Sequence, residues 1–334
     1  MTSLPRRTDI DVAKGLGMLL VVYGHLLQTG TIGETPWYAL TRDAIYTFHM
    51  PFFMYLSGYV FFMTRRQGLS GHAYRRMVST RADRLLVPFA IFGLLIVLGK
   101  AIAEKIGVVH DPVANPLRGI WDVICNTPDN PAISVWYLVV LFVYCVATPI
   151  LLRCCRGKTM FLMVAALVVS VIAELLWLPQ EFYLLRILRF YVFFVAGGVA
   201  CLHWDTIIRG IRKFWVLLAI GFAIGIAIGP NVPLALVYCG FLSMPVLHGA
   251  ILLFRLERLA ILRWVGDNSM TIYLMNTIFI GVAKLVWLKL LPVQGGWNPM
   301  FLAALMVAGV VGPVVVRIIV QRTAGIRFFA RYLA

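Results

Sequence analysis

The sequence predicts an all-α, polytopic membrane protein of about ten transmembrane helices, with both termini in the cytoplasm. Three observations predict it. The chain is 61% hydrophobic and only 13% charged, against about 45–50% apolar content in ordinary soluble domains. Apolar runs long enough to cross a bilayer recur along its whole length. Lysine and arginine collect in every second gap between those runs.

The expected spans lie near 11–29, 44–63, 84–104, 133–152, 159–177, 186–203, 214–230, 232–253, 267–291 and 299–320. The first carries Lys14 and His25 and lacks a small-residue cleavage site, so it reads as a retained helix. The seventh and eighth are parted by "IGPNVP" (228–233), where Gly and Pro end a helix. The basic gaps hold Arg6 and Arg7; Arg65, Arg66, Arg75, Arg76, Arg81 and Arg84; Arg153, Arg156 and Lys158; Arg209, Arg212 and Lys213; Arg255, Arg258 and Arg263; and Arg317, Arg322, Arg327 and Arg331. The intervening gaps offer mainly Arg42, Lys105 and Arg118. This asymmetry accounts for the net charge of +16 without nucleic acid. One long external gap, 105–132, holds Pro112, Pro116, Pro128 and Pro131 and reads as an irregular or re-entrant loop. The six cysteines sit mostly in or at the ends of apolar runs and read as packing residues rather than a disulfide framework.

Polar residues inside the spans are costly and mark function. In "DIDVAKGLGMLLVVYGHLL" (9–27), Lys14 and His25 are eleven residues apart, so they share a helix face about 16 Å apart. Asp11 is one turn from Lys14, within pairing reach. His49 opens the second span in "TFHMPFFMYLSGYVFF" (47–62). A short external loop between these spans would bring it near His25. In "RADRLLVP" (81–88), Arg81 and Arg84 join Arg65, Arg66, Arg75 and Arg76 in a cationic inner mouth, and arginine forks suit phosphates. Glu174, Arg186 and Arg189 are further ionisable groups, with Glu174 a candidate partner of either arginine. Trp136 and Tyr137 open the fourth span in "SVWYL". Asp267, Asn268 or Ser269 are candidate caps for the ninth, which also carries Asn276.

Taken in order, "DIDVAKGLGMLLVVYGH", "FHMPFFMYLSGYVF", "RADRLLVPF", "SVWYL", "FYVFFVAGGVA" and "VGDNSMTIYL" resemble the acyltransferase-3 family of integral membrane acyltransferases, in particular its fucose 4-O-acetylase-like branch. The Lys14-to-His25 spacing is similar to the family's basic residue, ten residues, histidine motif. The resemblance spans most of the chain, so residues 1–334 are expected to form one domain. It implies a bacterial inner-membrane enzyme that moves an acetyl group from acetyl-CoA to a carbohydrate hydroxyl (exopolysaccharide, O-antigen or lipid-linked oligosaccharide). It needs no metal and no nucleic acid. His25 carries over as the catalytic histidine, Asp11 and Lys14 as its partners, and Arg81 and Arg84 as donor-side arginines. Lys14, Arg75, Arg76, Arg81 and Arg84 are the expected acetyl-CoA contacts. His49 is the second catalytic candidate, and Trp136, Tyr137, Glu174, Arg186, Arg189 and Asn276 are the acceptor candidates. Many relatives end the ninth-span motif in "YLLH"; this chain has "YLMN", with Asn276 in place of the histidine.

A neutral imidazole suits general-base work on an alcohol, and a covalent acetyl-His25 intermediate is the alternative. His49, Ser57 or Asn276 could donate to the oxyanion. A transporter or flippase for a lipid-linked sugar also places polar residues at mid-membrane and is the competing reading.

Overall fold

The computed structural model describes residues 7–64, 71–105, 115–125, 130, 132, 133–176, 178–229, 232, 234–293, 298–323 and 331–332. Arg6, Arg65, Arg66, Arg327, Pro112, Pro128 and Pro131, together with residues 230, 231 and 233 of the seventh-to-eighth break, lie outside the described residues. The described chain is helical throughout. The helices are α1 (Thr8–Gly24), α2 (Pro36–Tyr46), α3 (His49–Met63), α4 (Gly71–Lys105), α5 (Pro116–Ile124), α6 (Trp136–Cys154), α7 (Thr159–Leu175), α8 (Leu184–Leu202), α9 (Trp204–Ile228), α10 (Ala235–Leu253), α11 (Ala260–Asp267), α12 (Ser269–Leu290) and α13 (Asn298–Arg322).

Each expected span has a helix: α1, α3, α4, α6, α7, α8, α9, α10, α12 and α13. Seven of these, α4, α6, α8, α9, α10, α12 and α13, are long and apolar enough to cross a bilayer by themselves. At 17, 15 and 17 residues, α1, α3 and α7 are shorter than that. The boundaries move for physical reasons. α4 begins well before residue 84 and runs for 35 residues, about 52 Å of helix, so its arginine-bearing first turns extend beyond a hydrocarbon core of about 30 Å.

α1 stops at Gly24 rather than near residue 29 because its last carbonyls are capped from outside. The Tyr38 hydroxyl donates to the Tyr23 carbonyl at 2.8 Å and the Tyr46 hydroxyl to the Gly24 carbonyl at 2.6 Å. These are C-terminal groups with no partner inside the helix. His25 is therefore the C-cap of α1, not an interior residue. Both tyrosines come from α2, an eleven-residue helix where a short loop was expected. Residues 44–46 belong to α2, and the second span starts at His49. The expected loop at 105–132 likewise contains α5, whose first amides are taken by the Asn115 side chain. At the ninth span Asn268 holds the N-cap position without a side-chain cap bond; its amide instead accepts from Arg317 at 2.8 Å.

α1 and α3 form the buried centre. α1 packs on α3, α10, α11, α12 and α13, while α7 pairs with α8, α9 with α10, and α12 with α13. Two backbone crossings hold this centre. A Cβ at Gly15 or Gly266 would collide with the Leu262 or Asp11 carbonyl oxygen, so α1 and α11 meet backbone to backbone. Gly58 and Gly197 do the same for α3 and α8. Small residues at such crossings are how membrane helices gain packing. The outer faces of α7, α9 and α13 are apolar and exposed, as lipid-facing surfaces should be: Val164, Leu217 and Val307 are 60%, 67% and 60% accessible. All six cysteines are free thiols.

Candidate active site

Two cavities lie near the junction of α1, α2 and α3, and neither His25 nor His49 is among their lining residues. The inner one, about 170 Å³, is lined along α1 by Lys14, Met18 and Val21, and along α3 by Met50, Phe53 and Ser57. On each helix these residues share one face, spaced by one turn. The next residue on the α1 face is His25, and His49 directly precedes Met50. The remaining walls include Leu85, Tyr137, Leu138, Ser269, Met270 and Tyr273. Lys14 and Asp11 form the expected ion pair, at 3.6 Å. Ser57 donates to the Phe53 carbonyl and is hydrogen-bonded to the Tyr137 hydroxyl. The slot is thus apolar with a few hydroxyls and one cation.

The arginines divide. Arg81 is half-buried and within electrostatic reach of the Tyr137 hydroxyl, and its Nε is buried with no hydrogen-bond partner among the described residues. A buried guanidinium nitrogen left open is expensive, which makes Arg81 a natural anion contact. Arg75, Arg76 and Arg84 are exposed, and none of the four arginines lines either cavity.

The outer cavity is larger, about 570 Å³, and lined by Asp43, Tyr46, Thr47, Glu174, Arg189, Val232 and Leu234 among others. Glu174 pairs with Arg189 at 2.7 Å. Arg186 instead stacks on Trp136, 4.7 Å from its ring centre. Neither Arg186 nor Trp136 lines either of these two cavities, and Tyr137 lines the inner one with Lys14. Asn276 is fully buried. Its amide nitrogen donates to the Ile272 and Tyr273 carbonyls at 2.9 Å, its oxygen has no partner among the described residues, and it lines neither cavity. That geometry withdraws it as an oxyanion donor.

The His49 ring lies 5.2 Å from that of Tyr46, which lines the outer cavity, while Met50 beside it lines the inner one, and His25 follows Val21 of the inner cavity by one turn. The His49 Nδ1 lies 2.8 Å from the Ile45 carbonyl. A carbonyl only accepts, so neutral His49 carries its proton there and turns a lone pair outward at Nε2. It is a proton acceptor in this form, not an oxyanion donor. His25 is partly accessible, and its ring has no hydrogen bond among the described residues.

A third histidine was not singled out in the sequence. His248 of α10 is fully buried, with Nε2 2.9 Å from the Asp9 carboxylate and Nδ1 3.0 Å from the Tyr55 hydroxyl. Asp9 is gripped by Arg7 at 2.9 and 2.6 Å, and Arg7 also donates to the Tyr59 hydroxyl and stacks on Trp204. None of these side chains lines either cavity. The available signal was an ionisable residue inside the 232–253 apolar run.

A family model described as an acyltransferase domain matches residues 7–318. The chain belongs to the acyltransferase-3 family. The match takes in every helix that walls the two cavities. Among curated relatives, the Nodulation protein NolL of Sinorhizobium fredii is 38% identical over 100 residues, covering 29% of this chain and 26% of that protein. The Nodulation protein NolL of Mesorhizobium japonicum is 28% identical over 142 residues, covering 41% of this chain and 34% of that protein. The alignments thus span about a quarter to a third of these relatives' length. No solved structure matches.

Proposed function

We propose that this family member is a bacterial inner-membrane O-acetyltransferase. It takes an acetyl group from acetyl-CoA at the cytoplasmic face and delivers it to a carbohydrate hydroxyl arriving from the external side. The observation that carries this reading is a pair of cavities flanking His49, whose ring packs on Tyr46 of one and whose neighbour Met50 lines the other, with His25 one turn beyond Val21 of the inner one. One is a narrow, mostly apolar slot beginning at Lys14; the other is a wide, polar vestibule containing Glu174 and Arg189.

The charged end of CoA is costly in hydrocarbon, so it stays at the basic rim. Arg81 and Lys14 take its phosphates, with Arg75, Arg76 and Arg84 supplying the surrounding field. The slim pantetheine arm runs along Met18 and Val21, and its thioester reaches His25. Neutral His25 accepts the proton of the acceptor O–H as the alcohol oxygen forms its bond to the thioester carbon. The tetrahedral intermediate collapses with cleavage of the C–S bond, and the imidazolium returns its proton to the CoA thiolate. Acetylation of His25 itself, followed by transfer to the alcohol, is the two-step variant. Both termini face the cytoplasm in this arrangement.

Replacement of His25 by Ala should abolish acetyl-CoA-dependent labelling of membrane glycan, while the purified protein still binds acetyl-CoA. Wild-type labelling rates in His25→Ala would refute the reading. A flippase for a lipid-linked sugar would yield no O-acetyl product in the same assay.

A further inference from the structure

We infer that Tyr46 is the barrier between the two cavities, and that it selects an alcohol over water as the acyl acceptor by keeping external water off the thioester. The inference rests on the acetyl-CoA reading above. Val21 and Met50 line the inner cavity, and Tyr46 and Thr47 line the outer one. The Tyr46 side chain closes the interval in two directions. Its ring lies against the His49 ring, 5.2 Å between centres and tilted by 31°. Its hydroxyl donates to the Gly24 carbonyl at 2.6 Å, immediately before His25. The remaining face of the ring looks into the outer vestibule and is 40% accessible overall.

The seat is made for this side chain. A Cβ at Gly24 would lie 2.6 Å from the Tyr46 ring, so glycine at 24 is what lets the phenol close over the end of α1. One hydroxyl bond and a ring contact hold it, an arrangement that a bulky acceptor entering the vestibule can displace.

The chemistry explains why a barrier is needed. A base that activates a sugar hydroxyl activates water equally well, and enzymes with reactive intermediates close their sites against it. With water as nucleophile the balance is simple. His25 takes one water proton, the hydroxyl oxygen bonds the acetyl carbon, the C–S bond breaks, and the thiolate recovers the proton. The products are acetic acid and CoA thiol, and the acetyl group is wasted. With Tyr46 seated, vestibule water is kept from the thioester.

The test is acceptor-free turnover by the purified full-length protein with acetyl-CoA in ¹⁸O-water, following CoA thiol and ¹⁸O-acetate. Tyr46→Ala should raise this hydrolysis by about tenfold or more over wild type, since an excluded nucleophile gains access. Tyr46→Phe keeps the ring and should stay within about fivefold, the worth of one hydrogen bond. Gly24→Ala, which displaces the ring without altering it, should leak to an intermediate degree. Adding His25→Ala to Tyr46→Ala should return hydrolysis to background. Unchanged or reduced hydrolysis in Tyr46→Ala and Gly24→Ala, both monodisperse and both binding acetyl-CoA, overturns the barrier alone. A wild-type protein that neither binds nor turns over acetyl-CoA overturns both the barrier and the function it rests on.

Discussion

His248 and His25 both work against α1, one near its start and one at its end, and their surroundings are opposites. His248 has zero accessibility and a partner on each ring nitrogen, Asp9 and Tyr55. Asp9 is in turn held by Arg7, so every charge of the group is answered, and none of its side chains lines either cavity. His25 is the first residue past the helix, partly accessible, one turn beyond Val21 of the inner cavity, with no hydrogen bond on its ring among the described residues. A fully satisfied buried network rigidifies and specifies packing. An imidazole with open nitrogens beside a cavity is available for proton transfer. The contrast separates an anchor from the proposed reaction centre along one helix, and the anchor ties α1 to α3 and α10, which contribute to the cavity walls.

Several substitutions break or sharpen that contrast. The largest effect is a crossing pattern. His25→Ala should cut turnover by about 10²–10⁴-fold, the usual worth of a general base, with thermal stability nearly unchanged. His248→Ala should instead cost about 2–4 kcal/mol of stability, through a cavity and an unanswered Tyr55 hydroxyl. Thermal denaturation in detergent beside turnover per folded molecule reads both, and equal stability losses in the two variants would erase the distinction.

Next in size, Arg81→Ala and Lys14→Met should each raise the acetyl-CoA KM by about 10–100-fold, the loss of a charged hydrogen bond, with kcat less affected. Arg75→Ala, Arg76→Ala and Arg84→Ala should change it only a few-fold, and their effects should fade in high salt as exposed charges are screened. Equal, salt-independent effects of all five would contradict the division of the arginines.

Smaller still, Glu174→Gln breaks the ion pair with Arg189 in the outer cavity. It should raise the acceptor KM by less than about tenfold while leaving the donor KM unchanged. A shift in the donor KM instead would move the vestibule to the donor path.

The least effect is expected at Glu34, outside the membrane. The Gly30 amide, 2.6 Å from one oxygen, and Arg42, 2.6 Å from the other, hold its carboxyl below the usual range. A depressed carboxylate contributes stability that is present above its unfolded pKa and is lost as pH falls through its folded pKa. Wild type should therefore lose slightly more stability on acidification than Glu34→Gln, and identical acid curves would remove Glu34 as the cause.

Much of this was legible in sequence because it is local. Hydropathy located a helix for every expected span, and the three-residue spacing of Asp11 and Lys14 gave their pair. The partition of Glu174 with Arg189 was foreseen as one of two pairings. What escaped was non-local. Asp9 and His248 are 239 residues apart, and no periodicity links them. Tyr38 and Tyr46 resemble ordinary interfacial aromatics until α2 folds them onto the last carbonyls of α1. That cap also explains why a run apolar past residue 24 ends its helix there. Arg75, Arg76, Arg81 and Arg84 are alike in composition, and only the rotation of α4 turns Arg81 inward.

The central claim, that donor and acceptor meet at His25 from opposite sides of the bilayer, is most directly tested in oriented proteoliposomes. Labelled acetyl-CoA is supplied at the face bearing Arg75 and Arg76, and a carbohydrate acceptor is confined to the other face. Labelled O-acetyl product on the acceptor side, absent in His25→Ala, is the expected result. Product formed only when donor and acceptor share one compartment would contradict it.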